Sequence, residues 1–419
     1  MIKVITGGVC APEGFMAGGI HCGIKASQRT AGPRKKDLAL IYSRNVCSAA
    51  AVFTNNRVKA ASVLVSRENI KDGILQAVIA NSGNANACTG ARGMKAALRM
   101  AELAALEMSI SPSSVAVAST GVIGVPLPID KIENSVSALK ASLKGDERGH
   151  SDALEAIMTT DTRKKDIAVE IEIDGKAVRI GAMVKGSGMI HPDMATMLCF
   201  ITTDASIDSV LLDRALRRAV KNSFNRLTVD GDTSTNDMVL IMANGGADSA
   251  RIVSVESGGE GRNSYDIFYD ALEYVCVELA RRTARDGEGA AKLVTVTVSG
   301  AESEDSAVSL AKSVASSNLV KAACFGADAN WGRVLCAMGY AGTAFNSEKV
   351  NVSFKSGAGE IEVCSDGQAA AFDEAKAKEI LLQEEIEILV KLQDGTGSAS
   401  VWGCDLTYDY VKINGDYRS

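Results

Sequence analysis

Apolar positions along the chain alternate between two periods. Short runs of small and β-branched apolar residues at 37–42, 76–80 and 115–119 predict strands, while three- and four-residue spacing at 94–108 and 129–143 predicts helices. A helix at 151–158 is followed by period-two alternation over 167–173, then Asp174-Gly175 and a returning strand over 177–183. Asp-Gly between alternating strands is a type I′ hairpin signal. Downstream the pattern predicts a strand at 196–202, a helix at 207–224, a strand at 238–243 and a long helix at 265–285. From residue 293 it gives a strand (293–299), a helix (306–316) and a glycine-rich stretch holding Asn330-Trp331-Gly332-Arg333. Strands at 350–354 and 360–364, a charged helix at 373–383 and a strand at 386–392 follow, and Asp394-Gly-Thr-Gly397 turns into a last strand near Ser400. The class is α/β, with residues 291–398 read as a smaller α+β C-terminal domain.

Composition narrows this to a globular enzyme-sized chain. The 419 residues, 46% hydrophobic, suffice for a large core. The 39 glycines against 6 prolines suit tight strand-to-helix connections. Basic and acidic residues, 45 and 51, are interspersed and leave a net charge of −6, which argues against nucleic acid as partner. No apolar run of about eighteen residues occurs, so no membrane helix is expected. The start, Met-Ile-Lys-Val-Ile-Thr-Gly-Gly, has no signal-peptide pattern. Ten scattered cysteines without Cys-x-x-Cys fit reduced thiols, and a cytoplasmic location is expected. Three histidines, none in a zinc-ligand spacing, make a metal site unexpected.

The most informative segment is Lys185-Gly-Ser-Gly-Met-Ile-His-Pro-Asp-Met-Ala195-Thr196, a polar glycine-rich loop entering a strand. Thr196 reads either as an ordinary strand threonine or as a nucleophile. If the chain is cut before it, its free α-amine, with a pKa near ~7.7, supplies the general base beside Oγ. Other strand ends carry paired readings. Asn81-Ser-Gly-Asn-Ala-Asn86 is a capped turn or a ligand loop, and Ser119-Thr-Gly121 is a strand end or an oxyanion hole. Thr159-Thr-Asp161 caps a helix or offers hydroxyls to a substrate. Thr228 to Asp237 is dense in oxygen ligands but lacks the closing glutamate of a calcium loop, which favours a polar network beside the site. Glu288, between glycines, is a solvated helix-end carboxylate or an amine ligand, and Lys185 is a surface charge or a carboxylate ligand. His191-Pro-Asp193 reads as a turn former.

Taken together, these segments resemble the ornithine acetyltransferase (glutamate N-acetyltransferase) family of arginine biosynthesis. Asp286-Gly-Glu-Gly289, Asn330-Trp-Gly-Arg333 and Trp402-Gly-Cys-Asp-Leu406 complete a resemblance that spans nearly the whole chain. It implies an Ntn-like α/β/β/α sandwich and self-cleavage between Ala195 and Thr196. The fragments would be 1–195 and 196–419, with 196–290 completing the catalytic core and 399–419 returning to the site. It further implies transfer of the acetyl group of N-acetylornithine to glutamate through Thr196, without a cofactor. Acetyl-CoA as a second donor separates bifunctional from monofunctional members. Thr120 and Gly121 match the family's oxyanion-hole pair. Thr159, Lys185, Thr196, Glu288, Asn414 and Ser419 match its substrate contacts, and an α2β2 heterotetramer is the implied assembly. The stretch Asp161-Thr-Arg-Lys-Lys165 departs by lacking a proline, and residues 250–263 are longer and more polar than the pattern. The competing readings are an amidase or aminopeptidase with the same threonine chemistry, and a metabolite-binding protein that does not react.

Overall fold

The computed structural model describes residues 1–25, 34–191, 197–255 and 263–416. The alternation read from the sequence sorts side chains onto two faces of each strand. In the strand Leu198–Thr203, Cys199 and Ile201 pack into one core, and Leu198 and Phe200 into another. The adjacent strand Met238–Ala243 divides the same way, with Val239 and Ile241 on one side and Met238, Leu240 and Met242 on the other. In Ile74–Asn84, Ala77 and Ile79 face a third core while Val78 and Ala80 share the one that holds Phe200. One core therefore lies mainly between strands, with one face of the helix Glu147–Ile157 added to it, and the other two lie between strands and helices. This is an α/β/β/α sandwich, the layer order implied by the resemblance.

The strand Leu38–Phe53 joins the two halves. Its first part pairs with Phe15–Ile20 and Ile74–Asn84, and its second part with Met238–Ala243. Pairing is interrupted between Tyr42 and Cys47, where Arg44, Asn45 and Val46 are exposed. The remaining order runs Met238–Ala243, Leu198–Thr203, Lys176–Lys185, Lys165–Ile173, Lys3–Ile5 on one side and Ile74–Asn84, Val115–Val122 on the other. The hairpin forms as read, with positive φ at Asp174 (50°) and Gly175 (74°).

Several elements differ from the sequence reading; the helices Ala61–Asn69, Asn318–Phe325 and Tyr408–Asp416 are not in it, and three further differences have a clear physical cause. Phe15–Ile20 is a strand although Gly18-Gly19 gives no β signal. Helices cross it so closely that a Cβ on Gly19 would lie 2.1 Å from Asp152 O. The expected helix over 129–143 is two short ones, Ile129–Glu133 and Val136–Ala141, broken at Asn134-Ser135, residues that favour caps over helix interiors. The stretch at Asn330 starts a helix, Trp331–Gly339, with Asn330 accepting the Arg333 N–H.

A second sheet of six strands runs Gln368–Ala369, Gly359–Ser365, Asn351–Ser356, Glu385–Lys391, Leu293–Ala301, Gly397–Cys404, with a core of its own. Its last strand pairs with Leu293–Ala301 along its full length, so this sheet continues past residue 398, where the sequence placed the boundary. The alternation there is weaker because Gly397, Gly403 and the serines give little apolar contrast. After Cys404 the chain leaves the sheet for the helix Tyr408–Asp416. Among the described residues no helix is long and apolar enough to cross a membrane.

Candidate active site

The parallel pair Ile74–Asn84 and Val115–Val122 brings two polar strand ends side by side, with Ser82 opposite Thr120 and Gly83 opposite Gly121. A Cβ on Gly121, at φ 132°, would lie 2.4 Å from Gly83 C and 2.5 Å from Asn84 N, so this position requires glycine. The three asparagines are committed to wiring these ends. Asn81 Nδ2 donates to Asn84 O, Asn84 Nδ2 to Val125 O and Asn86 Nδ2 to Gly93 O. The turn reading therefore holds for their side chains.

From the other half of the sandwich, Lys176–Lys185 ends at Lys185, which pairs with Leu198 two residues after Thr196. Lys185 is buried and its Nζ donates to Thr120 Oγ1 at 3.3 Å. A cavity of about 80 Å³ opens here, and Thr120, Gly121, Thr159, Lys185, Glu288 and Asn414 all line it. Those residues come from strand ends, loops and the C-terminal helix. Thr196, Ala195 and Ser419 lie outside the described residues.

Behind the cavity wall buried charges are paired. Asp161 Oδ1 accepts Lys165 Nζ and the Gly186 N–H, each at 2.7 Å, and Oδ2 accepts the Thr159 N–H at 2.9 Å. Lys165 also pairs with Asp286, which receives the Thr162 hydroxyl. Two ammoniums, Lys165 and Lys185, thus face two carboxylates, Asp161 and Asp286. Burial alone would raise the Asp161 pKa, but the charges of Lys185 and Lys165 outweigh it and hold the carboxyl well below the usual range. Burial pushes Lys185 down, opposed by Asp161 and reinforced by Lys165.

Glu288 lies over the glycine loop. Its N–H donates to Ser187 O at 2.8 Å, and Asn414 Nδ2 donates to Glu288 Oε2 at 2.9 Å. A Cβ on Gly188 would sit 2.2 Å from that same oxygen. Thr159 and Thr160 both line the cavity, with the Thr160 hydroxyl committed to Ser187 Oγ at 2.7 Å. One wall therefore presents an ammonium and another a carboxylate, a complement to the carboxylate and amine of an amino acid.

The oxygen-rich segment at 228–237 serves as the polar network expected of it. Asp230 accepts the Met189 and Ile190 N–H groups at 2.6 and 2.8 Å, and Asp237 accepts the Met197 N–H at 2.9 Å. Ser234, Thr235 and Asn236 line the cavity itself, which the sequence reading missed. It also missed the ion pairs of Asp161 and Lys165, since nothing local marks a buried charge. His191 shares a hydrogen-bond contact with Thr228 Oγ1 at 3.2 Å, and the rest of the turn read at His191-Pro-Asp193 lies outside the described residues.

Fold and site together define an α/β/β/α-sandwich enzyme with a cavity at its strand ends that faces an ammonium with a carboxylate. The chain belongs to the ArgJ family, whose profile matches residues 16–419. It is 52% identical over 415 residues to the arginine biosynthesis bifunctional protein ArgJ of Symbiobacterium thermophilum, covering 99% of each chain. With the protein of the same description from Caldanaerobacter subterraneus subsp. tengcongensis it shares 49% identity over 418 residues, 100% of each. Among solved structures it is similar to arginine biosynthesis bifunctional protein argJ from Bacillus halodurans. There the identity is 44% and the TM-score 0.48, over 52% of this chain and 98% of that one.

Proposed function

We propose that this chain is a glutamate N-acetyltransferase of arginine biosynthesis that cuts itself between Ala195 and Thr196 and then moves the acetyl group of N-acetylornithine to glutamate. The observation that carries this is the shared cavity: Thr120 and Gly121, Lys185 and Glu288 surround one space, beside the strand that begins just after Thr196.

In cleavage, Thr196 Oγ attacks the Ala195 carbonyl carbon, the C–N bond breaks as the nitrogen takes a proton, and an ester links the two fragments. Water hydrolyses that ester, which leaves Ala195 as a carboxylate and Thr196 with a free amine and hydroxyl. Thr196 Oγ then attacks the acetyl carbonyl of N-acetylornithine while its amine takes the hydroxyl proton. Ornithine leaves with that proton, and the glutamate amine attacks the acetyl ester to regenerate Thr196. Thr120 and Gly121 stabilise the oxyanion in each step. Lys185 receives the substrate α-carboxylate, and Glu288, held by Asn414, receives the side-chain amine, with Thr159 and Ser419 completing the contacts. Acetyl bond energy is conserved throughout, so the transfer needs no cofactor and no metal. Relatives described as bifunctional support acetyl-CoA as a second donor, and assaying glutamate with each donor side by side decides that point. The reading includes a cytoplasmic α2β2 assembly of the two fragments.

Denaturing electrophoresis with N-terminal sequencing tests it. Two fragments are expected, one beginning Thr-Met-Leu-Cys, and an intact 43.8 kDa chain would sink the nucleophile reading. Thr196→Ala is expected to abolish both cleavage and transfer. Recovery of N-acetylglutamate in proportion to added glutamate separates transfer from the hydrolysis of an amidase.

A further inference from the structure

Residues 233–237 run between the two halves of the site and bond to both. Asn236 Nδ2 donates to Ala85 O at 2.7 Å and to Ser119 O at 2.8 Å. Ser119 directly precedes Thr120 and Gly121, so this amide fixes the strand end that carries the proposed oxyanion hole. The next residue, Asp237, accepts the Met197 N–H at 2.9 Å, on the first residue after Thr196. The segment is strapped from outside as well. Thr54 donates its N–H to Asp237 O at 3.1 Å and its hydroxyl to Ser234 O at 2.7 Å, and the Ala60 N–H reaches Thr235 O at 2.9 Å.

We propose that Asn236 and Asp237 are positioning residues which together set the separation between the Thr120–Gly121 strand end and the nucleophile Thr196. The proposal rests on the reading of Thr196 given above. Asn236 lines the cavity, but both its donor hydrogens are consumed by the two carbonyls and its Oδ1 accepts Thr235 Oγ1 at 2.5 Å. Both amide hydrogens are therefore committed to holding strands, and none is left to donate to substrate.

Asp237 Oδ1 is the acceptor that holds the Met197 N–H. The carboxyl is fully buried, and among the described residues Oδ2 has no hydrogen-bond partner. Burial pushes its pKa up, opposed by the Met197 N–H, the Lys185 charge and the neighbouring Thr54 and Ser234 hydroxyls. An amide of the same shape retains the accepting oxygen, so Asp237→Asn keeps the spacing and Asp237→Ala loses it.

Full-length Asn236→Ala, Asn236→Gln, Asp237→Ala and Asp237→Asn, beside Thr196→Ala, are compared for rate of self-cleavage, kcat, KM and melting temperature. Misplacing a reacting group by about 1 Å costs roughly 100-fold in rate. Asn236→Ala, Asn236→Gln and Asp237→Ala are expected to lose about that much in cleavage and in kcat with KM little changed. Asp237→Asn is expected to stay near wild type. Asn236→Gln keeps the amide but moves it by one methylene, so it carries the test if the alanine variant does not fold. Unchanged rates in Asn236→Gln and Asp237→Ala would overturn the proposal. So would rates that recover when the assay is run well below the melting temperature, or an Asp237→Asn variant as slow as Asp237→Ala. Cleavage by Thr196→Ala would overturn the nucleophile reading instead, which keeps the two failures distinct.

Discussion

Asp161 shows what one buried carboxylate does for this site: it ties the Thr159 N–H, the Gly186 N–H and Lys165 to a single point. Its folded pKa lies below the unfolded value of 3.8, so its stabilising contribution is full above that value and is lost as pH falls through the lower one. Asp161→Asn leaves Lys165 with less compensation, and breaking such a buried pair costs about 3–5 kcal/mol. The expected result is a lower melting temperature at pH 7, with the gap to wild type closing in acid, followed by calorimetry across pH. The Lys185 pKa is shifted in the same direction, but here the downward shift costs the site a charge its substrate needs. Its pKa is depressed from 10.5 by burial, so the ammonium is lost at lower pH than for a solvated lysine. KM for glutamate is expected to rise with pH below the ordinary lysine range. Lys185→Met removes a charged hydrogen-bond partner worth about 1.5–3 kcal/mol, or roughly 10- to 100-fold in KM, and flattens that profile. Steady-state kinetics over a pH series checks both.

At the scale of elements, local signals and crossings divide the work. Ser209–Asn222 and Ser264–Arg285 were legible because their apolar spacing and capping residues, Asp208 and Asn263, act within a few residues. The strand Phe15–Ile20 was not, because its glycines answer to helices far along the chain. Gly19→Ala would drive a Cβ into the Asp152 carbonyl, and overpacking of this kind costs about 1–3 kcal/mol. Gly175→Ala has open space around it and pays only for its positive φ, about 1 kcal/mol. Urea unfolding of the two variants is expected to rank Gly19→Ala as the more damaging. The reverse order would contradict the close packing of that strand.

For the whole molecule, the proposed cut leaves the two fragments woven together. Leu198–Thr203, from the second, lies between Lys176–Lys185 of the first and Met238–Ala243. Leu38–Phe53 in turn pairs with Met238–Ala243, so each fragment supplies strands to the other's sheet. The cleaved chains are expected to elute as one species in native size-exclusion chromatography and to separate only in denaturant. Separation without denaturant would contradict the interleaved sheet. By itself the sequence marked most of the strands and helices, through periods set by backbone geometry, and it offered candidates for chemistry: a threonine after a glycine loop, hydroxyls and glycines at strand ends, a lone lysine and a flanked glutamate. Only the tertiary structure decided that Thr120, Lys185, Glu288 and Asn414 share one cavity, and that Asn236 and Asp237 join its two sides. Local pattern encodes how a segment folds, whereas burial, ion pairing and the meeting of strand ends depend on surfaces brought together from distant parts of the chain.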